Sequence, residues 1–104
     1  MKRIFKYELD LDPDSSISNF IHMKDGAQIL DCQFQAQTTK MDNMPRIDDK
    51  VCIWASVYED ALPVEMEFKL VMTGEEYDES NFWSHVKTLQ YPSGLVGHVM
   101  VRIV

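Results

Sequence analysis

The chain of 104 residues sets ten Lys and Arg against seventeen Asp and Glu, a formal charge of -7. With no basic run, that balance excludes a general nucleic-acid binder, because phosphate backbones are held by Lys and Arg; a local cluster of donors around a small anion stays open. The hydrophobic share of 45% and charged share of 26% are those of a folded domain, and at this length one modest core forms without staples, so a single β domain over residues 1–104 is expected.

In chain order, Arg3 to Leu9 alternates, with Phe5, Tyr7 and Leu9 on one face and Ile4, Lys6 and Glu8 on the other. A period of two marks a strand. Asp10 to Ser16 breaks it with Pro13 and small polar residues. Its D-x-D-x-D start is not a calcium loop, since Ser15 stands where glycine is needed and Ile21 where a bidentate glutamate is needed. Ile17 to Met23 is a short strand with Phe20 opposite Ile17, Ile21 and Met23, and Asp25-Gly26 is a tight turn. In Ala27 to Gln37, Leu30, Cys32, Phe34 and Ala36 are expected inside, and Asp31, Gln33, Gln35 and Gln37 in water. Thr38 to Lys50 has no sustained period and reads as an exposed loop at about 38–50, carrying Met41, Met44 and Ile47.

Val51 to Gly74 reads as a β-hairpin. Its first arm, Val51 to Tyr58, is β-branched and aromatic. Either face of that arm is apolar enough to be buried. If Val51, Ile53, Ala55 and Val57 form the core, Trp54 and Tyr58 make an outer aromatic patch. In the second arm Val64, Met66, Phe68, Leu70 and Met72 share the buried face, and Glu65, Glu67 and Lys69 the wet one. Glu59 to Pro63 supplies the turn. After an acidic linker, Phe82 to Leu89 fits a strand better than a helix on its β-branched and aromatic content. Tyr91-Pro92-Ser93-Gly94 is a turn, and Leu95 to Val104 a central strand in which Gly97 marks a bulge or a close backbone approach. The sum is an all-β, mostly antiparallel sandwich or partly open barrel of six to seven strands.

Chemistry-bearing motifs are scarce. Cys32 and Cys52 have neither zinc nor redox spacing and are expected as buried free thiols. The opening MKRIFKYELDLD turns acidic before any apolar run forms, so no secretory signal and no membrane segment are expected, and the setting is expected to be cytoplasmic. No two of His22, His85 and His98 share a metal-binding spacing; His85 and His98 meet only if their strands pair across the Tyr91 to Gly94 turn. There is no nucleophile elbow and no glycine-rich phosphate loop. We therefore expect no catalytic residues, no metal, no cofactor and no enzyme; the competing expectation is an acid-base or metal-dependent enzyme built on His85 and His98.

The aromatic groups and scattered cations are better candidates, because aromatics recur at interfaces and base-stacking sites. The candidate ligand or partner residues are Trp54, Tyr58, Trp83, His85, Lys87, Tyr91, His98 and Arg102, with Arg3 and Arg46 as further cations.

Ile4-Phe5-Lys6-Tyr7-Glu8-Leu9, Gly26-Ala27-Gln28-Ile29-Leu30, Ile53-Trp54-Ala55-Ser56-Val57, Phe68 to Gly74 and Gly94-Leu95-Val96-Gly97-His98-Val99 follow one another in an order and spacing that covers most of the chain. In these segments it resembles a family of small β-domain proteins of unknown function, encoded largely by bacteriophages and prophages. Thr38 to Lys50 looks like an added loop, and Gly97 stands where that family often has tryptophan. The resemblance implies one β domain of viral origin and carries over no catalytic residue. The resulting expectation is a non-enzymatic, homo-oligomeric binding protein acting in the host cytoplasm. It would interfere with host defence or physiology by sequestering a small nucleotide-like signal or by binding a host protein. The alternative is a structural or assembly component of a phage particle.

Overall fold

The alternating segments become seven strands. The computed structural model describes residues 1–14, 18–35, 50–91 and 93–104. The strands are β1 (Lys2–Leu9), β2 (Asn19–Lys24), β3 (Gln28–Gln35), β4 (Lys50–Tyr58), β5 (Pro63–Met72), β6 (Ser84–Gln90) and β7 (Val96–Ile103). One sheet has the order β1-β4-β3 and the other β2-β5-β7-β6. Every neighbouring pair is antiparallel, and the two sheets do not close into a barrel. Among the described residues the only helical element is a 3-10 turn at Glu79–Asn81. The expected loop at 38–50, with Met41, Met44 and Ile47, lies outside the described residues except for Lys50.

Period-two alternation places the core between the sheets. Leu9 from β1, Cys32 from β3, and Val51, Ile53, Ala55 and Val57 from β4 meet Met23 of β2, Phe68 and Leu70 of β5, Leu89 of β6, and Val99 and Val101 of β7. Removing a side chain such as Phe68 or Ile53 from water contributes about 1.5–3 kcal/mol each. The valine face of β4 is thus the buried one. Trp54 and Tyr58 lie on the outer face of the three-stranded sheet, where Tyr58 is exposed and Trp54 half-buried.

The stretch from Val51 to Gly74 is not a hairpin. β4 and β5 belong to different sheets. The turn after Tyr58, closed by Ala61 N–H donating to the Tyr58 carbonyl at 3.1 Å, carries the chain across the sandwich. The Asp25-Gly26 turn does the same from β2 to β3, with Ala27 N–H on the Lys24 carbonyl at 3.0 Å and Gly26 at φ 77. The two crossings are bonded to each other, Asp25 N–H donating to the Leu62 carbonyl at 2.8 Å.

Two further expectations change. The β3–β4 ladder shifts register between Ile29 and Asp31. Leu30 is the extra residue of that bulge and is exposed, and Ile29 takes the inward place opposite Ala55. Cys32 and Cys52 sit on adjacent strands, but Cys32 faces Ile53 and Cys52 faces Gln33. Opposite phases of the pleat separate the thiols, and both are free and buried. Burial, with Asp31 nearby, pushes the Cys32 thiol up to about 12.

Gly97 marks a close approach. A Cβ there would lie 2.7 Å from Leu70 Cδ1 and 3.1 Å from Met72 Sδ, side chains of the neighbouring strand. Overpacking of this kind costs about 1–3 kcal/mol. Gly97→Ala should therefore lower the free energy of unfolding by about that amount, read from the midpoint of urea denaturation, with the denaturant slope unchanged.

Candidate functional site

The chain leaving β5 is shaped by three local devices. Gly74, at φ 94, turns it away from the strand. Asp78 then caps the 3-10 turn, its Oδ1 accepting from Ser80 N–H at 3.0 Å. Phe82 ends that turn in the left-handed region at φ 59, its N–H on the Glu79 carbonyl. A left-handed phenylalanine is uncommon, since its Cβ crowds the backbone. The residue is 87% exposed, so burial does little to offset the conformation.

Trp83 follows and comes to the outer face of the four-stranded sheet. Lys69 Nζ lies 4.5 Å from its ring centroid and Arg102 Cζ 5.1 Å. Cations at these distances are attracted to the indole quadrupole. Arg102 Nε also donates to Glu67 Oε1 at 2.6 Å, directly across the β5–β7 ladder. Glu67 is only 8% exposed. Burial alone would raise its pKa, but hydrogen bonds from Ser18 and Arg102, with the charges of Arg102 and Lys69, outweigh it and hold the carboxyl below its usual range.

Beside Trp83 on the same face runs a row of side-chain hydrogen bonds. Thr73 Oγ1 contacts His98 Nε2, His98 Nδ1 contacts Thr88 Oγ1, and Thr88 Oγ1 contacts His85 Nε2, each at 3.0 Å. The two imidazole centroids are 5.8 Å apart. Thr88 has a single hydroxyl proton and two acceptor lone pairs, so it can donate to at most one of the two histidines. Among the described residues no group of three His, Cys, Asp or Glu could hold a metal ion.

A cleft of about 460 Å³ lies on the other, core-facing side of β5 and β7, where Met66, Val101 and Ile103 share the phase of Phe68. Met66, Val101 and Ile103 are its apolar lining, with Ser80, Phe82, Ser84 and Arg102 beside them. The guanidinium carries five N–H donors, and its bond to Glu67 uses Nε.

Of the residues singled out in the sequence, Trp83, His85, His98 and Arg102 come together on the outer face of the four-stranded sheet. Trp54 and Tyr58 are on the other sheet, with Lys2 Nζ 4.9 Å from the Tyr58 centroid. Lys87 reaches Asp31 across the β6–β3 edges at 3.0 Å and draws the Asp31 carboxyl down. Tyr91 packs inward, its ring edge-on to Phe34 with centroids 5.0 Å apart, and burial pushes its hydroxyl up to about 12. Arg3 pairs with Glu59 at 2.9 Å, and Arg46 lies outside the described residues. Sequence reasoning passed over Phe82, Lys69, Glu67 and Thr88. The signal for Lys69 was present in the alternation, which puts it on the expected wet face of β5; Thr88 shares a face with His85 only through the register shift between His85 and Lys87, and nothing local marks Phe82 as left-handed.

The Glu67–Arg102 pair has a pH signature. A carboxyl depressed on folding adds stability above its unfolded pKa and loses it as pH falls through the folded value. The wild-type protein should therefore lose stability below about pH 4.5, the carboxylate's ordinary value, and Glu67→Gln should lose less over that interval. Urea midpoints at pH 3 and pH 7 for both proteins check this.

No curated protein and no solved structure matches the chain. The model of one family, Domain of unknown function (DUF7352), matches residues 1–104. The chain belongs to that family.

Proposed function

We propose that this protein is a non-enzymatic binding protein of phage origin that takes up a small anionic, nucleotide-like ligand in the cleft between Phe82 and Arg102. The observation that carries the reading is the pairing of an exposed, conformationally strained aromatic ring with an arginine around one concavity. Strained backbone concentrates at ligand clamps, and about 460 Å³ lies within the roughly 300–1,000 Å³ of small-molecule sites. Phe82 supplies a π-face for a base, Ser80 and Ser84 neutral partners for a sugar, and Arg102, the cation among the lining residues, positive charge for a phosphate. The histidines favour binding over catalysis, since His98 is engaged through both ring nitrogens by Thr73 and Thr88. The phage origin rests on the run of segments from Ile4 to Val99 described above. Withholding such a signal from the host cell is the role that fits a binding site without bond-making groups.

Calorimetric titration with adenosine and guanosine mononucleotides and cyclic dinucleotides tests the reading. At least one should bind, and Arg102→Ala should weaken it by about ten-fold or more, the size of a lost hydrogen bond to a charged group. Phe82→Gly should abolish stacking yet leave the fold as stable or more so, because glycine accepts the left-handed conformation. No binding by any of these probes, or binding indifferent to both substitutions, would remove the proposal.

A further inference from the structure

We propose that the open edge of β1 is where a second copy of this chain joins, merging two three-stranded sheets into one of six strands. The proposal is independent of the cleft and concerns the opposite sheet. Among the described residues the two sheets have four edge strands, and unprotected edges pair with other chains. β3 and β6 each carry a register shift, between Ile29 and Asp31 and between His85 and Lys87. They are also tied to each other by Lys87 Nζ on Asp31 Oδ1. β2 is the shortest of the four, Asn19–Lys24. Among the described residues β1 has none of these protections. All eight residues pair with β4 without a shift, from Lys2 opposite Tyr58 to Leu9 opposite Val51.

Edge lysines ordinarily discourage pairing, but the basic side chains of β1 are turned back over their own sheet and turn. Lys2 lies over the Tyr58 ring, Arg3 bonds Glu59, and Lys6 Nζ crosses β4 to Gln35 Oε1 of β3 at 2.9 Å. Ile4 is left 65% exposed between them.

The charge pattern of β1 selects the partner. Two identical strands paired about a two-fold axis keep their inner and outer faces continuous only when the axis passes through a residue, because directly opposed residues share a face. An axis at Ile4 sets Lys2 against Lys6, and an axis at Lys6 sets that lysine against itself. An axis at Tyr7 sets Lys6 against Glu8 but pairs only Phe5 to Leu9, toward the end where Asn19 Oδ1 accepts from Asp10 N–H. An axis at Phe5 sets Lys2 of each copy against Glu8 of the other and pairs Lys2 through Glu8. That register alone joins opposite charges at both ends while using nearly the whole strand.

The test is sedimentation velocity on the full chain, from about 1 to 100 μM, with far-UV circular dichroism as a check on the fold. The wild-type protein should be a dimer at the upper end. Lys2→Glu and Glu8→Lys, each replacing two attractive pairs by two repulsive ones, should each raise the dissociation constant by about ten-fold or more. The double variant K2E/E8K should restore the dimer, whereas K6E/E8K should not. A protein monomeric at every concentration would overturn the proposal. So would a dimer indifferent to both single reversals, or singles not rescued by K2E/E8K.

Discussion

The hydrogen bond from Asp25 N–H to the Leu62 carbonyl holds together the two turns on which the layered structure depends. Each turn takes the chain from one sheet to the other, one between β2 and β3 and one between β4 and β5. β4 and β5 then lie on opposite sides of the core. Phe68 and Ile53, both fully buried, then come from consecutive strands without those strands ever sharing a ladder. Each crossing satisfies its own backbone groups, through Ala61 on Tyr58 and Ala27 on Lys24. A connection this short could otherwise leave polar groups unpaired beside the core.

The same arrangement divides the surfaces. With β4 and β5 committed to different sheets, β5 takes β2 and β7 as neighbours, and β6 pairs on the far side of β7. The route from β5 to β6 therefore has to pass β7. It does so through the capped 3-10 turn and the left-handed Phe82, which bring Trp83 beside Lys69 and Arg102. The outer face of the four-stranded sheet is consequently not a simple wet face: Glu67, Val71 and Met100 share its register and are all nearly buried. The cleft, with Ile103 still 67% exposed, follows from the same route.

Much of the fold was legible in the sequence because period two is a local property. The two faces of β1 and the inward face of β5 could be read directly, as could the strand nature of His85 to Leu89; the other face of β5 was expected in water, but Glu67 and Val71 on it are nearly buried. Pairing was not legible. A short acidic turn before Pro63 and an Asp-Gly step both serve a hairpin and a crossing equally well, since each fixes only a chain reversal; which strands then share hydrogen bonds is decided by the whole core. Leu30 was misplaced because a bulge resets the phase without any glycine or proline to announce it. Four of the eight candidate residues met at one face because a readable turn pairs β6 with β7 and a register shift between His85 and Lys87, which the sequence does not announce, turns His85 to the face of His98. Trp54 and Tyr58 were separated from them by the sheet assignment that the turn chemistry concealed.

The account stands on β4 and β5 lying in different sheets. Cross-strand backbone nuclear Overhauser effects in a labelled sample measure this directly. They should connect Ala55 with Phe5 and with Ile29, and Phe68 with Asn19 and with Val101. A ladder of such effects running between β4 and β5 outward from the turn at residues 59–62 would contradict it.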